Sequence, residues 1–257
     1  MGFIYNGISS QGMRIRARLT NWQFSPALRN SYVTVPGKSG VADFGSDSAE
    51  RNITVRCGVT PQRSFAELVT LLDGVAEWLD PSRGLGALIL DDVPSRYFMA
   101  RLSESVDCER LLRAAGSFDL KFVCPDPHAY ALTDETYTIT AAGSHEIRRL
   151  IGSAASEPVY SLKGVISSGA STYITLRTNA AELRVVGALA FGETLVIDSG
   201  MVTAKVVDEQ GATLRNGLPC LQELNFPVLQ KGANTVAIST TGAVFTELKI
   251  QAKSRWR

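Results

Sequence analysis

Apolar and polar residues alternate one by one along most of this chain, and a period of two builds strands. Ile53, Val55, Cys57 and Val59 share one face of a first clear strand, and Phe118, Leu120, Phe122 and Cys124 share one face of a later one. Between them, Ala87 to Leu90 and Tyr97 to Leu102 read as two more. One segment breaks the alternation. Phe65, Leu68, Val69, Leu72, Val75, Ala76 and Leu79 recur at steps of three and four, which predicts a helix with one buried stripe. Ser64 with Glu67 forms a capping box at its start, and Asp80-Pro81 stops it because proline cannot continue the ladder.

Cys124-Pro125-Asp126-Pro127-His128 is a rigid punctuation mark, its two prolines fixing an extended or turning path. Beyond it come Tyr137 to Thr140 and a small-residue turn at Ala141 to Ser144. Seven short strands follow, at Val159 to Gly164, Thr172 to Thr178, Glu182 to Val186, Thr194 to Asp198, Val202 to Val207, Thr235 to Ser239 and Glu247 to Ala252. Close spacing without a helix predicts a sandwich or jelly roll. The fold class is therefore mainly β. Residues 1–137 form a sandwich-like domain with one α-helix, and residues 138–257 form an all-β sandwich.

A formal net charge of +1 over 257 residues gives no whole-molecule field toward nucleic acid or an anionic membrane. No apolar run approaches the roughly 18 residues of a membrane span, and Met1 to Gly7 lacks the pattern of a secretory signal. The reading is a protein folded in the cytosol, or one leaving it by a route such as lysis. Cys57, Cys108, Cys124 and Cys220 lie tens of residues apart without a CxxC pair, and Cys57 and Cys124 fall in the apolar phase of strands as core thiols. With His128 and His145 the only histidines, both read as turn or surface residues, neither a His-based triad nor a zinc site is signalled. No phosphate-binding glycine motif opens a helix and no calcium loop is present. No catalytic residue, metal or cofactor is assigned, and the chain is not read as an enzyme. Arg14, Arg16 and Arg18 alternate along one strand face, which in a monomer is a solvated face and in a ring would lie at a subunit contact or towards the lumen. A carbohydrate-binding module is the alternative for the second domain. Its aromatics are few, however, and Tyr173, Phe191 and Phe226 read as core. Trp256 reads as packing on the inter-domain seam with Arg255 and Arg257 in water, the alternative being an exposed anchor.

Several segments taken in order resemble the distal tail (Dit) family of long, non-contractile phage tails. They are Phe3-Ile4-Tyr5-Asn6-Gly7, the loop Val35-Pro36-Gly37-Lys38-Ser39-Gly40, Phe122 to Pro127 with its turn Pro125-Asp126-Pro127, Phe226 to Leu229 with Gly232 to Thr235, and Arg255-Trp256-Arg257. Ser39 stands where the family often has an acid. The resemblance implies a structural protein of the virion tail tip, assembled in the host bacterial cytoplasm. Its first domain would form a hexameric ring with other copies, joining the major tail-tube protein to the tail-tip hub or tail fibre. Its second domain would be a galectin-like sandwich, which in some relatives holds receptor-binding proteins. It implies no membrane and no specific nucleic-acid partner.

Cyclic rings use two different patches per subunit. The stretch Val35 to Gly45, rich in Pro and Gly between apolar runs, reads either as an arm that adds a strand to a neighbour's sheet or as an ordinary exposed hairpin.

Overall fold

A computed structural model describes residues 1–112, 115–167 and 171–257. The chain divides into two compact units, Met1–Leu132 with Arg257, and Thr133–Trp256. The division falls a few residues ahead of the boundary read from the sequence. Asp134 accepts hydrogen bonds from the backbone N–H of Lys253 and Ser254, and Glu135 from those of Leu150 and Ile151, so both acids are built into the second unit.

The first unit contains β1 (Phe3–Tyr5), β2 (Ile8–Ser9), β3 (Ile15–Asn21), β4 (Leu28–Val33), β5 (Ala42–Ser48) and β6 (Arg51–Val59). Helix α1 (Phe65–Trp78) follows, then β7 (Gly86–Leu90), β8 (Arg96–Leu102), β9 (Glu109–Leu112), β10 (Ala115–Cys124) and β11 (Ala129–Ala131). The strands run β2-β1-β7-β8-β10-β6-β3, with β9 on β10 and β11 on β8. Neighbours are antiparallel. Strands three places apart in a flat sheet would be about 14 Å apart at the usual ~4.8 Å spacing. Yet the rings of Phe3 and Tyr5 on β1 lie 5.7 and 5.6 Å from that of Phe122 on β10. The sheet therefore curls on itself, which makes the unit sandwich-like.

The alternating strands bury the predicted faces. Ile53, Val55, Cys57 and Val59 point inward from β6, as do Phe118, Leu120, Phe122 and Cys124 from β10. Burial pushes the thiols of Cys57 and Cys124 up to about 12, so they remain protonated core groups. Asn6 and Gly7 both have positive φ, the two-residue turn that matches strand twist between β1 and β2. Helix α1 starts where expected, with Ser64 accepting from the Glu67 N–H. Its buried side differs from the predicted stripe. Leu68, Val75 and Leu79 are buried, but Phe65, Val69 and Ala76 are exposed, and Trp78 is buried in their place. Trp78 stacks on Phe3 at 5.5 Å and donates its indole N–H to the Tyr5 carbonyl, which rotates the helix toward β1.

The second unit holds β12 (Thr136–Ile139), β13 (Gly143–Arg149), β14 (Val159–Val165), β15 (Tyr173–Thr178), β16 (Ala181–Val185) and β17 (Thr194–Asp198). After them come β18 (Thr203–Val207), β19 (Thr213–Asn216), β20 (Gly232–Thr241), β21 (Val244–Gln251) and β22 (Arg255–Trp256). One sheet runs β12-β21-β14-β17-β18-β19 and the other β13-β20-β15-β16. Leu162, Ile197, Leu248 and Ile250 of the first meet Ile174, Leu176, Val236 and Ile238 of the second in one core, a β-sandwich. The seven predicted strands are present. Ser144, read as the end of a small-residue turn, and His145, read as a turn or surface residue, instead lie in β13 and pair with β20, which satisfies their backbone through the ladder. Asn234 is buried and explains its segment. Its amide bonds the Gln230 N–H and the Gln230 and Gly232 carbonyls, closing the turn into β20.

Candidate subunit interface

The segment Val35–Gly40 is the tip of a hairpin arm formed by β4 and β5. These two strands pair with each other and, among the described residues, with no other strand. Gly37 and Gly40 adopt positive φ there, which lets the chain reverse without a Cβ clash. Every residue of β4 is exposed, and most of β5 is too. Leu28, Val33, Val35 and Val41 stand in water, together with Tyr32 at 55%, Phe44 at 71% and, just before the arm, Phe24 at 85% exposed. Scattered apolar residues on a surface are ordinary, but here they gather on one hairpin, which makes the arm the candidate contact surface.

The arm is held at its root. The Ala49 N–H donates to the Ala27 carbonyl at 2.7 Å, and the Asn52 N–H to the Gln23 side chain. Arg51, first residue of β6, is 3% exposed. Its guanidinium donates to the Gln23 carbonyl on the segment that leads from β3 into the arm and, at 2.8 Å, to the Pro127 carbonyl, and lies 5.7 Å from the Phe98 ring centre. Among the described residues it has no carboxylate within ion-pair distance, and burial lowers its pKa. The turn Pro125-Asp126-Pro127 thus reaches the arm through one side chain. Nothing in the sequence signals this link, because a lone arginine after a hairpin looks like any solvated cation.

Asp126 orders that turn. It accepts from the His128 N–H and ring Nδ1, the latter at 2.7 Å, and from the Tyr130 hydroxyl. Burial raises its pKa, but the bonds from His128 and Tyr130 outweigh burial and hold it at about 2. A carboxylate depressed in the folded state stabilises the fold fully above its ordinary value of 3.8, and that stability is lost as pH falls toward about 2. The side chain is 39% exposed, so the loss is on the order of 1 kcal/mol after screening. Acid titration of unfolding should show this slope for the native chain and a flatter one for Asp126→Asn; superimposable curves would refute the assignment.

The three arginines read as one strip separate. Arg16 and Arg18 are exposed on β3, at the sheet's edge, while Arg14 turns off at φ 55° to bond Gln62 at 2.9 Å. Two of the aromatics assigned to the second unit's core are half-buried at its margin. Tyr173 has the Arg184 guanidinium over its ring, and Phe226 packs against the core's edge. Phe191 contradicts its assignment outright: it is 90% exposed. It sits on a tight turn beside Gly192, at a cleft of about 370 Å³ with Lys163, Thr194, Asp208 and Glu209. Arg255 is not left in water either, since its fork grips both oxygens of Glu157 at 2.8 and 2.9 Å.

Residues 7–124 match the family model of the phage tail protein RIFT-related domain. Across its whole length the chain has the fold of Dit from phage SPP1, described as a paradigm of the hub adsorption apparatus in phages infecting Gram-positive bacteria. The TM-score is 0.76 at 16% identity, covering 100% of this chain and 99% of that one. A chain of the phage P2 baseplate in its calcium-activated conformation is similar at TM-score 0.50 and 10% identity, covering 96% of this chain and 93% of that one. No curated protein matches the sequence.

Proposed function

From the phage tail protein domain at residues 7–124 we propose that this chain is a structural distal tail protein. It forms a hexameric ring that joins the tail tube to the tail-tip hub or fibre. The ring lies at the virion's tail tip and is built in the host cytoplasm without catalytic turnover. The observation that carries this reading is the arm. Its apolar side chains stand in water on a hairpin with a braced root, as a subunit contact requires and a monomer's loop does not. Residues 1–137 make the ring in this proposal, with Val35, Pro36, Gly37, Lys38, Ser39 and Gly40 on the arm's tip, and residues 138–257 face outward to dock other tail proteins. Immunogold labelling of virions that carry this chain tests the placement. Gold should gather at the tail end distal to the head; label along the whole tube or at the head would overturn it.

Phe191 favours a second role for the outer unit, carbohydrate binding. An exposed aromatic ring offers a face to the C–H side of a sugar, and the lysine and acids of its cleft suit hydroxyl groups. Glycan-array binding by the full chain that Phe191→Ala abolishes would establish it, and an array without signal would leave protein docking as the outer unit's role.

A further inference from the structure

A closed ring needs a second patch, complementary to the arm, on each copy. A cleft of about 440 Å³ in the first unit has the required character. It opens beside the second half of α1, against β8 and β10, and its walls include Leu72, Val75, Leu79, Val106, Phe118 and Leu120. The arm of the same copy does not fill it, since Phe44 stays 71% exposed.

Charge agrees with shape. Ser103, Glu104, Ser105, Val106 and Cys108 line the cleft, and Asp107 and Glu109 flank Cys108 in the sequence. Glu104 is taken by Lys121 at 2.6 Å, while Asp107 and Glu109 are exposed. Between β4 and β5 the arm's tip bears one charge, the exposed Lys38. Reach agrees as well. From root to tip the arm is about ten residues, roughly 30 Å at ~3.3 Å per residue. A body of about 130 residues has a radius of gyration near 14 Å.

We propose that the arm of one copy seats in this cleft on the next copy, with Phe44 foremost and Lys38 facing Asp107 and Glu109. This rests on the ring reading and names the surface that receives the arm. It differs from strand addition in the receiving surface, an apolar cleft beside α1 in place of a sheet edge.

A native thiol makes the contact testable. Cys108 lines the cleft and is half-buried, whereas Cys57 and Cys124 are 1% and 0% exposed and Cys220 is buried in the other unit. Phe44→Cys, a change at an exposed position, should let a short bismaleimide join the assembled full-length chains into a covalent ladder. The native chain should give little linkage, and adding Cys108→Ser should erase the ladder. A Phe44→Cys chain that assembles to native mass without a Cys108-dependent ladder would overturn the cleft while sparing the ring. If neither the native chain nor the variant assembles, both readings fall. Charge exchange gives an independent reading should the loss of the Phe44 ring weaken assembly. Lys38→Glu should raise the concentration for half-assembly several-fold, and Asp107→Lys with Glu109→Lys should restore it. An indifferent Lys38→Glu would count against the proposal.

Discussion

Replacing residues 28–48 with a short glycine-serine link will give a chain that folds normally and does not assemble. The two ends of the deleted segment are already joined by the bond between Ala49 and Ala27, so closing a new short turn there adds little loop entropy. The arm contributes almost nothing to the core, because β4 is exposed throughout. Changes confined to such a surface stay within about 0.5 kcal/mol, a shift of roughly 2–3 °C for a domain of this size. Assembly should fall from the native oligomer to a single chain. Calorimetry and light scattering on the same sample would read both effects. A deleted chain that still formed native rings would remove the arm from the interface, and one that failed to fold would show the arm to be part of the body.

Arg51→Ala should cost far more stability, roughly 3 kcal/mol. Removing the guanidinium leaves the part-buried Gln23 and Pro127 carbonyls without this donor, at about 1–3 kcal/mol each where water cannot replace it, and takes a cation from the Phe98 ring. Arg51→Lys should recover only part of this, since one ammonium cannot reproduce the planar fork that spans both carbonyls. The loss should appear in urea unfolding of the first unit, with added protease sensitivity at the arm's root. A midpoint unchanged from the native chain would mean that the guanidinium is not holding the arm.

The second unit has a counterpart in Arg149, which is 0% exposed and donates to the carbonyls of Gln230, Ile151 and Ala154. These two arginines show where sequence reading stopped. Alternation exposed β6, β10 and most of the second unit's strands because one face of each meets a core and the other meets water. It failed at β4, where Arg29, Asn30 and Ser31 show no apolar phase, since neither face of that strand is buried within the chain. It passed over Trp78, whose indole is buried against Phe3 and bonded to the Tyr5 carbonyl, and put Phe65 and Val69 in the core, where both are exposed. Phe191 looked like core because Leu189 and Ala190 precede it, yet Gly192 turns the chain there and carries the ring outward. The tip Val35–Gly40 was legible through its Pro and Gly, and the turn at Pro125–Pro127 through its prolines. What joins them was not, since Arg51 acts across 76 residues of sequence to reach Pro127.

The ring itself is tested most directly by the native mass of the purified chain over a concentration series, with negative-stain imaging of the heaviest species. The account predicts a species of about six times the 27.7 kDa chain, seen face-on as a ring with a central hole. A single species of 27.7 kDa at every concentration would contradict it.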